Sequence, residues 1–387
     1  MVNVVIVQYR LLHYRVRLFE LMRQLLAARG VNLVLVCGQP SPTERLRKDE
    51  GQLDWAFKVT NRYWQLGGKD ITWQPLPPQA HGAALCVVMQ ENRLLGNYLL
   101  QLRRHLGGPL MGFWGHGRNY QAREATGPRE RWKNFLLRRA DWWFAYTSSV
   151  AAYVAAKGFN AAQVTVLNNA IDVSGFLADL ESVAEGELQA TRTQLGIDAG
   201  AQVAIYCGSI YAEKRIAVLL EAADLLRARL PDFHLLMVGD GPDAGMVRAA
   251  AETRPWMHVR GIRKGHDKAL HYRLASVNVN PGAVGLHIVD AFVAATPLVT
   301  QTSALHGPEY DYLVNGLNGL SVGDDSAETY AAAVANLFTQ PGLLQAMQHR
   351  CSADAQRYTV EQMAQNFADG IVDCLQQHGR LTAPPQP

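Results

Sequence analysis

Motifs that would settle a chemistry outright are missing from this sequence. No G-x-G-x-x-G follows the first apolar run, which argues against a dinucleotide dehydrogenase, and no G-x-x-x-x-G-K-[ST] marks a P-loop nucleotidase. G-x-S-x-G and H-E-x-x-H are missing too, which removes the obvious hydrolases and zincins. Asp-x-Asp occurs nowhere. The five cysteines (Cys37, Cys86, Cys207, Cys351 and Cys374) are odd in number, scattered and without a C-x-x-C pair. They read as reduced cytosolic thiols packed into cores rather than a disulfide framework or a zinc site. No apolar run approaches the ~18–20 residues of a membrane span, and the chain reads as starting directly on a strand without a signal peptide.

What is present is the composition of a globular α/β protein. At 387 residues and 48% hydrophobic, the chain is long enough for two domains with substantial cores. The net charge of +3 hides an uneven split. Residues 1–150 hold 21 Lys and Arg against 10 Asp and Glu, whereas the remainder is acidic. The first half is therefore expected to face something anionic. The basic run from Arg123 to Arg139, interleaved with Trp132, Phe135, Leu136 and Leu137, reads either as a solvated helix face or as a peripheral contact with an anionic membrane. No nucleic-acid-binding module accompanies the charge.

Strand and helix patterns alternate along both halves. In the first half, strands are expected at Val2–Val7, Leu33–Cys37, Ala84–Met89, Leu110–Trp114, Trp142–Thr147 and Val164–Leu167, with a helix over Val16–Arg29. The second half repeats the pattern with strands at Gln202–Cys207, His234–Val238, Trp256–Arg260, Val277–Asn280 and Leu298–Thr300, and a helix over Ala217–Arg229. Residues 173–200 read as an acidic linker plus a surface helix, and 378–387 as a disordered tail. The expected fold is α/β, with two Rossmann-like, doubly wound domains facing a cleft: 1–172, 173–360, and a C-terminal helix, 361–377, packing back on the first domain.

The most informative segment runs from Pro281 to Phe292. Gly282 and Gly285 open the backbone after a short strand, and from Leu286 the apolar residues take helical spacing until Pro297. A glycine-rich turn feeding a helix suits a diphosphate, and Asp290, about one turn on, can accept hydrogen bonds from ribose hydroxyls. A second candidate follows another strand. Gly208-Ser209 leads to Lys214 and Arg215 at a helix start, where cations are disfavoured unless an anion binds beside them. In the first half, His116 stands between Gly115 and Gly117, ahead of Arg118 and Asn119.

These residues resemble the donor-site motifs of the retaining GT-B glycosyltransferases of family 4. Asp290-Ala291 falls on the family's second glutamate, Gly285-Leu286 on its internal Gly-Leu and Pro297 on its trailing proline. Gly282 takes the place of the first glutamate, in a loop about three residues shorter than usual. Gly208 and Lys214 match the diphosphate-binding segment, with Ser209 where the family has arginine and Arg215 as the substitute cation. The resemblance implies that Lys214 and Arg215 stabilise the leaving diphosphate, that the backbone from Gly282 through Val284 and Gly285 to Leu286 cradles phosphate, and that Asp290 holds the ribose. It further implies that His116 positions the sugar, that Ile262 and Arg263 lie near the base, and that Glu309 lies behind the donor. Arg10 and Arg15 fall in the first-domain loop that approaches the diphosphate, beside Arg118 and Asn119 on the acceptor side.

The resemblance implies a retaining sugar transfer from a nucleoside-diphosphate sugar to a saccharide or lipid-linked saccharide, with no cofactor and no metal, at the cytoplasmic face of a membrane. A nucleotide-sugar epimerase on the same fold and a non-catalytic partner subunit are the alternatives.

Overall fold

The structure is a computed structural model that describes residues 1–47, 49–66, 69–117, 132 and 135–382. The chain divides into two compact units, the first made of Met1–Asp172 with Val360–Pro387 and the second of Val173–Thr359.

The first unit is built on seven parallel strands. In chain order they are β1 (Val2–Gln8), β2 (Val31–Cys37), β3 (Phe57–Lys58), β6 (Leu85–Met89), β7 (Leu110–Gly115), β8 (Trp142–Ala145) and β9 (Val164–Val166), and the sheet order is β3-β2-β1-β6-β7-β8-β9. Val4, Val5 and Ile6 of β1 are all fully buried. Burial of consecutive β-branched residues means that both faces of the sheet are covered, as parallel sheets require. One cover is α1 (Val16–Ala27), whose Leu18, Phe19, Met22 and Leu26 form the inward stripe. Another is the C-terminal helix Val360–Gln377, which packs on α1 and buries Met363, Phe367, Ile371 and Cys374. Its Phe367 ring stacks on Phe144 at 4.5 Å and meets Trp114 edge-on at 5.1 Å. Outside this sheet, β4 (Arg62–Leu66) and β5 (Lys69–Trp73) form an antiparallel hairpin, and α2 (Leu95–His105) follows β6.

The second unit is a six-stranded parallel sheet of β10 (Gln202–Cys207), β11 (Phe233–Val238), β12 (Met257–Gly261), β13 (Val277–Val279), β14 (Leu298–Gln301) and β15 (Gly319–Val322), in the order β12-β11-β10-β13-β14-β15. The order reverses between β10 and β13, so the loops leaving these two strands flank a crevice at the carboxyl edge of the sheet. In the first unit the equivalent reversal lies between β1 and β6.

One sequence expectation is corrected here. Residues 173–200 are not a linker with a surface helix; they form two helices, α4 (Ser174–Ser182) and α5 (Glu185–Leu195), with α3 (Ser148–Ala156) preceding them in the first unit. Leu180, Val183, Leu188 and Ile197 are buried against β10 and β11 residues. The apolar residues are sparse in a polar stretch, yet spaced to reach one face. Gly196, in the left-handed conformation, ends α5.

Candidate functional site

The crevice in the second unit is built backbone on backbone. β10 ends at Cys207, and Gly208 to Lys214 run across the strand ends, closing in a 3₁₀ turn at Ala212–Lys214. Arg215 takes the left-handed conformation (φ 54°) before α6 (Ile216–Arg229) begins. Two glycine turns pack directly on this segment. A Cβ added to Gly239 would overlap the Gly208 carbonyl, and one added to Gly241 would overlap that of Ile210. The Gly239–Pro242 turn, which its composition marks only as a turn, therefore supports the Gly208 loop.

Gly282 explains the missing glutamate in physical terms. A Cβ there would overlap the Glu213 carbonyl and the Lys214 backbone, while the next amide, Ala283 N, donates to Glu213 O at 2.8 Å. The two loops lock together where a side chain would otherwise stand. Lys214 Nζ completes the lock by donating to the Ala283 carbonyl, which Asn280 Nδ2 also reaches at 3.1 Å.

Lys214 is the electrostatic centre of this arrangement. It is 6% exposed, and among the described residues no carboxylate pairs with it. Burial lowers its pKa from 10.5 to about 8, so it carries its charge at neutral pH. A buried ammonium with one carbonyl acceptor and the Tyr211 ring at 5.8 Å, but no carboxylate among the described residues, leaves a place for an anion. Its histidine neighbours are uncharged at neutral pH. Burial foremost, with the nearby Lys214 ammonium, holds His287 well below its usual range, and burial brings His306 down to about 4. Neutral His306 accepts from Val284 N through Nδ1 at 3.1 Å and donates from Nε2 to Gln301 O at 2.9 Å. That bridge fixes buried Val284 in the glycine turn. After it, α7 (Ala244–Ala251), α8 (Gly265–Leu274) and α9 (His287–Val293) complete the surroundings of the strand ends. The amides of Gly285 and Leu286 have no acceptor among the described residues.

Arg215 lies at the outer edge of the crevice. Its Nη1 donates to Gln301 Oε1 (2.9 Å), Ser303 Oγ (2.9 Å) and Asp325 Oδ1 (2.8 Å). Its Nε and Nη2 have no partner among the described residues. Asp290 stands in the first turn of α9 and makes an ion pair the sequence did not suggest, 2.9 Å from Lys268 Nζ on α8. Lys268 also lies 4.2 Å above the Phe176 ring. Glu309 is 4% exposed, and its Oε2 lies against Gly307 and Gly285. Ser209 is exposed beside Gly208, and its carbonyl accepts from Tyr206 OH at 2.6 Å. Ile262 is 64% exposed, and Arg263 is turned onto Arg260 O (2.7 Å) and Asp267 (2.7 Å) beyond the end of β12. The structure thus gathers Gly208, Lys214, Gly282, Val284, Gly285, Leu286 and Glu309 around the β10/β13 reversal, and keeps Arg263 engaged elsewhere.

The first-unit candidates are placed differently. Arg10 is buried and donates from Nη1 to Asp49 Oδ1 at 2.6 Å, within 3.9 Å of Glu44. Arg15 is buried too; its Nη2 donates to Asn169 Oδ1 (2.5 Å) and its Nη1 to Ala170 O (3.2 Å), tying that turn to α1. His116 is exposed at the end of β7, its ring 4.5 Å from that of Tyr146, between Gly115 (φ 150°) and Gly117 (φ 65°). Arg118 and Asn119 lie outside the described residues, as does most of Arg123–Arg139. Of that run, Trp132 stacks on Phe135 at 5.5 Å and Arg139 lies 4.5 Å over the Phe135 ring. Among the described residues no helix is long and apolar enough to cross a membrane, and no cluster of three or more His, Cys, Asp or Glu could hold a metal.

Comparison with known proteins bears on the family and the fold. Residues 201–340 match the family described as Glycosyl transferases group 1. D-inositol 3-phosphate glycosyltransferase of Rhodococcus jostii (strain RHA1) is 28% identical over 218 residues, which are 53% of this chain and 47% of that protein. Alpha-monoglucosyldiacylglycerol synthase of Acholeplasma laidlawii is 26% identical over 165 residues, 41% of this chain and 40% of that protein. The chain thus spans about half the length of the curated relatives it matches, or less. Anabaena Alr3699/HepE, solved in complex with UDP, superposes with a TM-score of 0.66 at 17% identity, covering 96% of this chain and 100% of that one. WaaG, a glycosyltransferase involved in lipopolysaccharide biosynthesis, does so with a TM-score of 0.59 at 15% identity, covering 95% and 98%. Residues 201–340 are thus similar to the group 1 glycosyl transferases, and the fold is that of the GT-B glycosyltransferases.

Proposed function

We propose that this protein transfers a sugar from a nucleoside-diphosphate sugar to a saccharide or lipid-linked saccharide acceptor, retaining the anomeric configuration and using no metal. The observation that carries the reading is Lys214, a buried ammonium with a carbonyl and no carboxylate, set between the loops that leave β10 and β13. A diphosphate supplies the missing negative charge there, with the amides of Gly285 and Leu286 and the open Nε and Nη2 of Arg215 as further donors. Asp290, held by Lys268, is the acceptor for ribose hydroxyls.

Transfer then proceeds on one face of the sugar. The bond from the anomeric carbon to the diphosphate breaks as the bond to the acceptor oxygen forms. The proton of the acceptor hydroxyl passes to the departing diphosphate oxygen, and Lys214 and Arg215 stabilise the charge that develops on the leaving group. No protein nucleophile takes part. A seat on an anionic membrane surface through Arg123–Arg139 is the proposed route to a lipid-linked acceptor, checked by co-sedimentation with phosphatidylglycerol vesicles.

The test is release of nucleoside diphosphate from UDP-, GDP-, ADP- and dTDP-glucose in EDTA, with saccharide and glycolipid acceptors, and proton NMR of the product's anomeric centre. One donor consumed in an acceptor-dependent way, with an α product from an α donor, is expected. A β product contradicts retention, and loss of all turnover in EDTA contradicts the metal-free mechanism.

A further inference from the structure

A cavity of about 240 Å³ lies in the first unit, between the β4–β5 hairpin, α2 and the sheet. Its size is close to the lower end of the ~300–1,000 Å³ range of small-molecule pockets. None of its lining residues belongs to the donor site described above, and none is among the loop residues assigned to the acceptor.

The polar groups facing this cavity are not satisfied by the protein. Thr72 is fully buried, and its hydroxyl has no hydrogen-bond partner. Gln74 spends its amide N–H on Gln8 O at 2.8 Å, and Asn97 spends its own on Met89 O at 2.9 Å. Both side chains are more than nine-tenths buried, and neither amide oxygen accepts a bond among the described residues. The lining thus carries two amide oxygens free to accept, with the unpartnered Thr72 hydroxyl sealed within the wall. At the rim stand two exposed side chains, His81, whose imidazole can donate or accept, and Arg103, with donors only and no carboxylate partner among the described residues. Trp73, Leu76, Leu94 and Leu100 supply the apolar walls.

That combination discriminates between ligand classes. An acyl chain does not satisfy the amide oxygens. An ammonium suits the oxygens and is repelled by Arg103, and a phosphate suits Arg103 and is repelled by the oxygens. A ring with hydroxyls on adjacent carbons offers donors to Gln74 and Asn97 and acceptor oxygens to Arg103, and its C–H faces match Trp73 and the leucines. We infer that this cavity is a saccharide-binding subsite that holds one sugar unit away from the reaction. The binding stands on the cavity alone; only its description as part of an acceptor rests on the proposed transferase activity.

Saturation-transfer NMR on the intact chain, with glucose, galactose, mannose and N-acetylglucosamine as separate probes, tests it. Gly96 lines the cavity, and a Cβ there meets only Gln74 O at 3.7 Å, so Gly96→Leu fills the space without a forced clash. The expected result is transfer to at least one of the four sugars, with affinity falling tenfold or more in Gly96→Leu at an unchanged melting temperature. Should Gly96→Leu fold poorly, Arg103→Met at the exposed rim is expected to weaken the same sugar at least threefold. No transfer to any of the four, equal binding in the variants, or binding of laurate in their place overturns the inference. Nucleotide binding is measured separately on the same protein, so a failure here is distinguishable from a failure of the donor-site reading.

Discussion

The two units treat their buried cations in opposite ways. In the first, Arg10 is matched to Asp49 and Glu44, and Arg15 is consumed by Asn169 and Ala170. In the second, Lys214 is buried as deeply and has one carbonyl acceptor and the Tyr211 ring. A buried cation that ties several protein groups together holds a fold, as Arg15 does without any carboxylate, whereas one left with a single carbonyl acceptor marks a place for an anion. Positive charge is concentrated in the first half of the sequence, yet Lys214, with one carbonyl acceptor and no carboxylate among the described residues, sits in the acidic second half. Charge counts locate a surface; the partners of individual charges locate a site.

The largest effect that would break this contrast comes from Gly282→Ala. The added methyl overlaps the Glu213–Lys214 backbone, so the lock between the two loops must open. A loss of about 3 kcal/mol in urea unfolding is expected, along with nucleotide binding reduced to below detection. A neutral outcome would mean that the backbone lock is not what shapes the crevice.

Arg15→Met ranks next and sharpens the contrast from the other side. It removes the donors that Asn169 Oδ1 and Ala170 O accept from, for an expected loss of about 2 kcal/mol. Nucleotide affinity should stay within twofold of wild type. A large affinity change would show that the first unit's buried arginine is functional as well as structural.

Lys268→Met comes third. It frees Asp290 from its 2.9 Å partner and is expected to weaken nucleotide binding about tenfold, with Lys268→Arg restoring most of it. Isothermal titration calorimetry reads both, and unchanged affinity in Lys268→Met would remove Lys268 from the site.

The smallest effect is one of pH. The lowered pKa of Lys214 means that the folded protein gives up this proton near pH 8, whereas the unfolded chain keeps it to about 10.5. Burying the charge therefore costs stability below pH 8, and the cost fades as pH rises from 8 to 10.5. Lys214→Met should be more stable than wild type at pH 7, with the gap narrowing by pH 10 in denaturant titrations. A gap that widens with pH would contradict the burial of an uncompensated charge.

The parts of the molecule that could be read in advance are those where local chemistry dictates the answer. The apolar runs of β1, β2, β10 and β11, β-branched in the first three, are strands because their residues suit a pleated, doubly covered surface, and the glycine turns after β10 and β13 announce themselves by composition. What escaped depends on tertiary contact. Nothing near Lys268 in sequence indicates Asp290, which lies 22 positions away on α9 and meets it only in the folded unit. The core role of Leu180, Val183, Leu188 and Ile197 is diluted by the acidic residues between them. Gly282 could be read as a departure from a motif, but the reason for it, the backbone of Lys214 in the same space, exists only in three dimensions.

The central claim is that Lys214 awaits a diphosphate. The most direct test is calorimetric titration of UDP, GDP, ADP and dTDP, in EDTA at pH 7, into wild type and Lys214→Met. The account predicts saturable binding of one nucleotide to wild type and a loss of about 10²-fold or more in the variant. Binding that is unaltered in Lys214→Met, or no binding of any of the four to wild type, would contradict it.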